Sequence, residues 1–169
     1  MSVKIIRAYI LNIESILKKL KSSNFIKKKQ AFDSIYKLPG SEPLQIIEHV
    51  LKLDGNVGMK LDALRIIPIL VNSSEYYYIS KILHSALRID DPEIIRKTFL
   101  CIRNIPIEIA DVRLIHTIIE KLQYNDTDVQ YQAILTLDYL RSKIEPTLFE
   151  SILEFFRGHP NSALKKAAL

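Results

Sequence analysis

Tryptophan is absent from this 169-residue chain, and cysteine occurs once, at Cys101. A single cysteine excludes an internal disulfide and a paired-cysteine metal site. It favours a reducing compartment, so the expected location is cytoplasmic. Cys101 also falls within an apolar periodic segment, where it reads as a small core residue rather than a nucleophile. Glycine (4) and proline (7) are scarce, which argues against the many tight turns of an all-β fold. No apolar run is long enough to cross a membrane: Val3 to Leu20, the most apolar opening stretch, is interrupted by Lys4, Arg7, Glu14, Lys18 and Lys19. The same stretch lacks the small-residue cleavage site of a secretory leader. Asn72-Ser73-Ser74 and Asn125-Asp126-Thr127 match a glycosylation sequon but read here as turn residues.

Catalytic signatures are missing too. There is no phosphate loop, dinucleotide fingerprint, His-Glu-x-x-His helix or Gly-x-Ser-x-Gly elbow. The histidines His49, His84 and His116 are spaced by 35 and 32 residues, with His159 further on. Repeat stacking could bring the first three near one another, yet ordinary helix-face residues are the expectation. No catalytic residue, metal, cofactor or small-molecule substrate is expected.

What the sequence does contain is a repeat. Ala31, Ala63, Thr98, Ala133 and Ala167 follow one another at spacings of 32, 35, 35 and 34. Four residues after the first four anchors come Ile35, Ile67, Ile102 and Leu137, and seven after come Leu38, Leu70, Ile105 and Leu140. Offsets of 4 and 7 place these on one helical face. Seven before the anchors stand Asn24, Asn56, Asp91 and Asp126, residue types that cap helix N-termini. A second amphipathic helix precedes each of these, as in Ile6, Ile10, Ile13, Leu17 and Leu20, or Val112, Ile115, Ile119 and Leu122. Hydrophobic residues make up 48% of the chain, enough for a continuous core shared between stacked hairpins. The expected hairpins, helix A then helix B, occupy about residues 3–38, 42–72, 75–105, 110–142 and 146–169 of a single domain, 1–169. Pro68 falls inside the second B helix and should kink it. The last helix runs out near Leu169 without a cap. That leaves two expectations: a fragment of a longer array, or Ala163, Leu164, Ala167 and Ala168 packed on something else.

Asp126-Thr127-Asp128-Val129-Gln130-Tyr131-Gln132-Ala133 with Leu137 and Leu140, and the copy opening at Asp91-Pro92-Glu93-Ile94, resemble HEAT repeats. The resemblance covers nearly the whole chain. It implies an all-α fold, a right-handed α-α superhelix of about five hairpins, of HEAT-like or armadillo-like type. The family's Arg after the Val position is replaced here by Lys28, Lys60, Ile95 and Gln130, which weakens the expectation of an inter-repeat Asp–Arg ladder. The resemblance also implies a binding scaffold more than an enzyme, with a HEAT-like enzyme such as a bilin lyase as the remote alternative.

Two surfaces follow. In HEAT-like stacks the B helices line the concave face. The outward B-helix columns hold Lys29 and Tyr36, then Leu61 and Arg65, then Arg96, Leu100 and Arg103, then Tyr131 and Leu135. Leucine interleaved with Arg and Tyr suits a protein or peptide partner. The second surface is electrostatic. Residues 1–40 carry nine Lys/Arg against Glu14 and Asp33, while the other 129 residues sum to −2. Lys18, Lys19, Lys21, Lys27, Lys28 and Lys29 therefore form a candidate patch for an anionic partner, a membrane surface or nucleic acid.

Overall fold

A computed structural model describes residues 3–22, 24–71 and 75–169, with side chains from residue 12 onward and without that of Phe25. Asn72-Ser73-Ser74 and the side chains of Lys4, Ile6, Arg7 and Ile10 lie outside the described residues. Ten α-helices and no strand occur among those residues. They pair as α1 (Val3–Leu20) with α2 (Phe25–Ile35), α3 (Glu42–Lys52) with α4 (Val57–Ile66), and α5 (Tyr76–Leu87) with α6 (Pro92–Ile102). α7 (Val112–Glu120) then pairs with α8 (Thr127–Tyr139), and α9 (Pro146–Arg157) with α10 (Ser162–Ala167). The fold is all-α, built of consecutive helical hairpins.

The chain divides into two compact units, Met1–Leu70 and Val71–Leu169. In the first, α1 packs on α2, α2 meets α3, and α3 packs on α4. In the second the solenoid pattern is explicit. A helices stack on A helices (α5 on α7) and B helices on B helices (α6 on α8, α8 on α10).

Local chemistry sets the helix starts. Asn24 Oδ1 accepts from the amides of Ile26 and Lys27, Asn56 Oδ1 from Met59, Asp91 Oδ1 from Glu93 and Ile94, and Asp126 Oδ1 from Val129. Each satisfies donors that would otherwise lack a partner. Asn56 does this from a left-handed backbone (φ 46°) just after Gly55 (φ 69°), the conformation that Gly and Asn tolerate best. Asp111, Glu145 and Asn161 cap α7, α9 and α10 in the same way.

The repeat anchors Ala31, Ala63, Thr98 and Ala133 are all buried, as are Ile35, Ile67, Ile102 and Leu137 four residues on. Small anchors let helix backbones approach, and the large aliphatics fill the layer between hairpins. Thr98 satisfies its buried hydroxyl by donating to the Ile94 carbonyl at 2.8 Å. The fifth copy slips by one residue. Leu164 and Ala168 are buried four apart, while Ala167 is half-buried and Ala163 exposed.

Pro68 does not kink a continuing helix. α4 ends at Ile66, and Ile67–Ile69 tighten into a single 3-10 turn. The proline has no N–H for the Leu64 carbonyl, and its ring crowds that carbonyl, so the α-helical ladder stops there.

Candidate binding surfaces

On α6 the inward residues are Ile94, Ile95, Thr98, Phe99, Cys101 and Ile102. The opposite face presents Leu100, 43% exposed, between half-buried Arg96 and Arg103. On α8, Val129, Ala133, Ile134, Thr136 and Leu137 point inward. Tyr131 and Leu135 are half-buried, and Asp138 and Tyr139 are exposed. Leu100 and Leu135 hold equivalent positions, two residues after their anchors.

Polar bonds knit α6 to α8 along this face. Arg103 Nη1 donates to the Gln132 carbonyl at 3.2 Å and to Thr136 Oγ1 at 2.7 Å, while Nη2 donates to Gln132 Oε1. Burial pulls the Arg103 pKa below the ordinary guanidinium value, with Tyr131 opposing. Arg96 reaches Asp126 at 3.6 Å and Asp128 at 3.8 Å. Tyr139 donates to the Ile105 carbonyl at 2.6 Å. The arginines of this face therefore have structural partners in the next hairpin, and Leu100 is the apolar group standing between them.

Similar links join α5 and its following turn to the next hairpin. His84 Nδ1 meets Thr117 Oγ1 at 2.9 Å, and Tyr124 donates to Asp90 Oδ1 at 2.8 Å. His84 thus bonds to the neighbour of His116, and His116 itself is exposed. Among the described residues no group of His, Cys, Asp and Glu is arranged to hold a metal ion. Cys101 is buried, and burial pushes its pKa up to about 12 despite the opposing charge of Lys97.

In the first unit Lys29 is exposed, Tyr36 is exposed and Leu61 is half-buried. Arg65 is exposed and donates to Asp62 at 3.0 Å on its own helix. The column where HEAT repeats carry Arg behaves unevenly. Lys28 reaches the next hairpin, with Nζ 3.8 Å from Asp62, and Gln130 donates to the Leu122 carbonyl at 3.0 Å. Ile95 and Lys60 are buried in that column. The Asp–Arg contact appears one residue later, at Arg96.

The lysines of the first hairpin gather around a concavity. Lys18, Lys19, Lys21 and Lys27 line a cleft of about 460 Å3 where α1 ends and α2 begins, together with Ser15 and Ser22. Lys28 and Lys29 do not line it.

One surface had no warning in the charge or column patterns. Ile119 and Leu122, at the end of α7, form with Ile152, Phe155 and Phe156 of α9 an apolar groove of about 310 Å3. Phe155 is 69% exposed beside buried Phe156, their rings edge-on at 5.1 Å. The sequence signal was the Phe155-Phe156 pair: adjacent helical residues lie about 100° apart, so both cannot enter the core.

Comparison with known proteins gives the fold. No family model matches the sequence, and no curated protein does. Among solved structures, an engineered protein from the Northeast Structural Genomics Consortium superposes with a TM-score of 0.55 at 16% identity, over 93% of this chain and 76% of that one. A designed armadillo repeat protein aligns over 92% of this chain and 96% of its own at 14% identity, with a TM-score of 0.34, too low to bear on the fold. No helix among the described residues is long and apolar enough to cross a membrane.

Proposed function

We propose that this chain is a non-catalytic scaffold that binds a protein or peptide partner on its B-helix face, in a cytoplasmic setting that suits its lone buried thiol. The observation that carries the reading is Leu100. A 43% exposed leucine stands between Arg103, held by hydrogen bonds to Gln132 and Thr136, and Arg96, whose guanidinium lies 3.6 Å from Asp126. An arginine held as Arg103 is loses little rotamer entropy when a partner arrives, and an apolar centre with a polar rim is the anatomy of a binding hot spot. Tyr131, Leu135 and Tyr139 extend the strip along α8. Lys29, Tyr36, Leu61 and Arg65 form the corresponding strip on α2 and α4 in the same proposal.

Peptides selected from a random library against the full chain test it. Their affinity should fall about tenfold or more for Leu100→Glu, the range of a lost hot-spot side chain. The thermal midpoint should stay within a degree or two, since the residue is exposed. Selected peptides that bind wild type and Leu100→Glu equally well would place the site elsewhere.

A further inference from the structure

The cleft of the first hairpin goes beyond the protein-binding reading and does not rest on it. Four lysines, Lys18, Lys19, Lys21 and Lys27, line one concavity of about 460 Å3 with Ser15, Ser22 and Gln30, and no Asp or Glu lines it. None of the four lysines has an ion-pair partner, whereas Lys28 is paired with Asp62 and Lys52 with Glu48. Every Asp and Glu of the chain lies among the described residues, so no carboxylate partner is hidden.

Folding accounts for only part of this arrangement. Lys18 and Lys19 occupy the last turn of α1, where the helix dipole welcomes cations. Lys27 is the opposite case. It sits in the first turn of α2, at the positive end of a helix with no acidic residue there, followed by Lys28 and Lys29. Repulsion among these charges and with the helix end works against the fold unless an anion relieves it.

The shape of the site restricts the anion. The four lysines belong to one cleft in the size range of small-ligand pockets. They do not run along successive hairpins as a duplex-tracking surface would require. Residues 71–169 carry 12 Lys/Arg against 13 Asp/Glu, so the positive field is confined to one end. The hydroxyls of Ser15 and Ser22 on the cleft also suit phosphate oxygens.

We propose that this cleft binds a compact, multiply phosphorylated anion, the chemistry shared by a soluble inositol polyphosphate and a polyphosphoinositide headgroup.

The test is titration of the full chain with inositol hexakisphosphate at about 150 mM salt, and flotation with vesicles carrying either a polyphosphoinositide or phosphatidylserine at equal total charge. Saturable one-to-one binding to the soluble probe is expected, weakened at least tenfold in Lys21→Gln/Lys27→Gln. These lysines are exposed, so the variant should keep its helical circular dichroism. Lys165→Gln/Lys166→Gln removes the same charge from α10 and should leave affinity unchanged. Vesicle binding that requires the polyphosphoinositide assigns the lipid-borne source; binding of the soluble probe alone assigns the free one. Absence of binding, equal loss in both double variants, equal flotation with phosphatidylserine, or tighter binding to a DNA duplex would each overturn the proposal.

Discussion

The two compact units share a repeat but are held together differently. In residues 71–169, side chains reach across to the next hairpin at nearly every opportunity: His84 to Thr117, Tyr124 to Asp90, Arg96 to Asp126, Arg103 to Gln132 and Thr136, and Tyr139 to Ile105. In residues 1–70 the corresponding contact is Lys28 to Asp62, at 3.8 Å. The charges differ as well. The first unit holds 12 Lys/Arg against 6 Asp/Glu, while the second is nearly balanced. Polar side chains in the second unit are occupied with structure; in the first, several lysines have no structural partner. An unoccupied charge is where ligand binding is to be sought, and an occupied one marks the scaffold that presents a surface.

Removing what each unit depends on should separate the two. The largest effect is expected from the core. Phe99 is fully buried on α6, and Phe99→Ala should destabilise the second unit by about 3–5 kcal/mol, lost transfer energy plus a cavity. Hydrogen exchange in α6 and α8 measures it, and a loss below about 1 kcal/mol would contradict the packing described here.

Arg103→Leu comes next. It strands the Gln132 and Thr136 acceptors of a half-buried network, a loss of about 1–3 kcal/mol in urea denaturation. Lys28→Ala should cost less than about 1 kcal/mol, because its ion pair is long and partly exposed. Equal losses would erase the distinction between the units.

Alkaline pH supplies a smaller effect. The Tyr124 pKa is raised above 10.0, first by its hydrogen bond to Asp90. A raised pKa means the folded state favours the protonated phenol. The bond's contribution is therefore complete below pH 10 and lost as pH rises through the folded value. Tyr124→Phe should flatten that limb of the stability curve, read from thermal midpoints between pH 9 and 11. Cys101 probes the second unit's core without altering its stability. With a pKa near 12 and no exposure to speak of, it should resist thiol reagents at pH 8 in the native chain and react fully in urea.

Much of this architecture was legible because it depends on neighbours in sequence. Asn24, Asn56, Asp91 and Asp126 cap helices through amides two or three residues away, so their offsets alone disclose them. The buried columns at Ala31, Ala63, Thr98 and Ala133 are equally local, since a helix turns by a fixed angle per residue. Features that depend on packing between hairpins were harder to read. Arg103 looked like a free outward arginine, because only the stacking of α6 on α8 brings Gln132 and Thr136 within reach. Leu61 and Leu135 fell in outward columns, about 160° from the core direction at 100° per residue, yet are half-buried. The lysine run was visible from charge, but not that four of its members enclose a cleft while Lys28 turns to Asp62. Pro68 pointed to a break, though not to a helix that simply ends.

Site-specific photocrosslinking in the source cell tests most directly whether a partner docks on the α6/α8 face. A benzoylphenylalanine at position 100 should trap one discrete polypeptide, which the same probe at Phe155, in the apolar groove of α9, does not trap. Trapping at 155 and not at 100 would contradict the assignment and move the docking surface to the A helices.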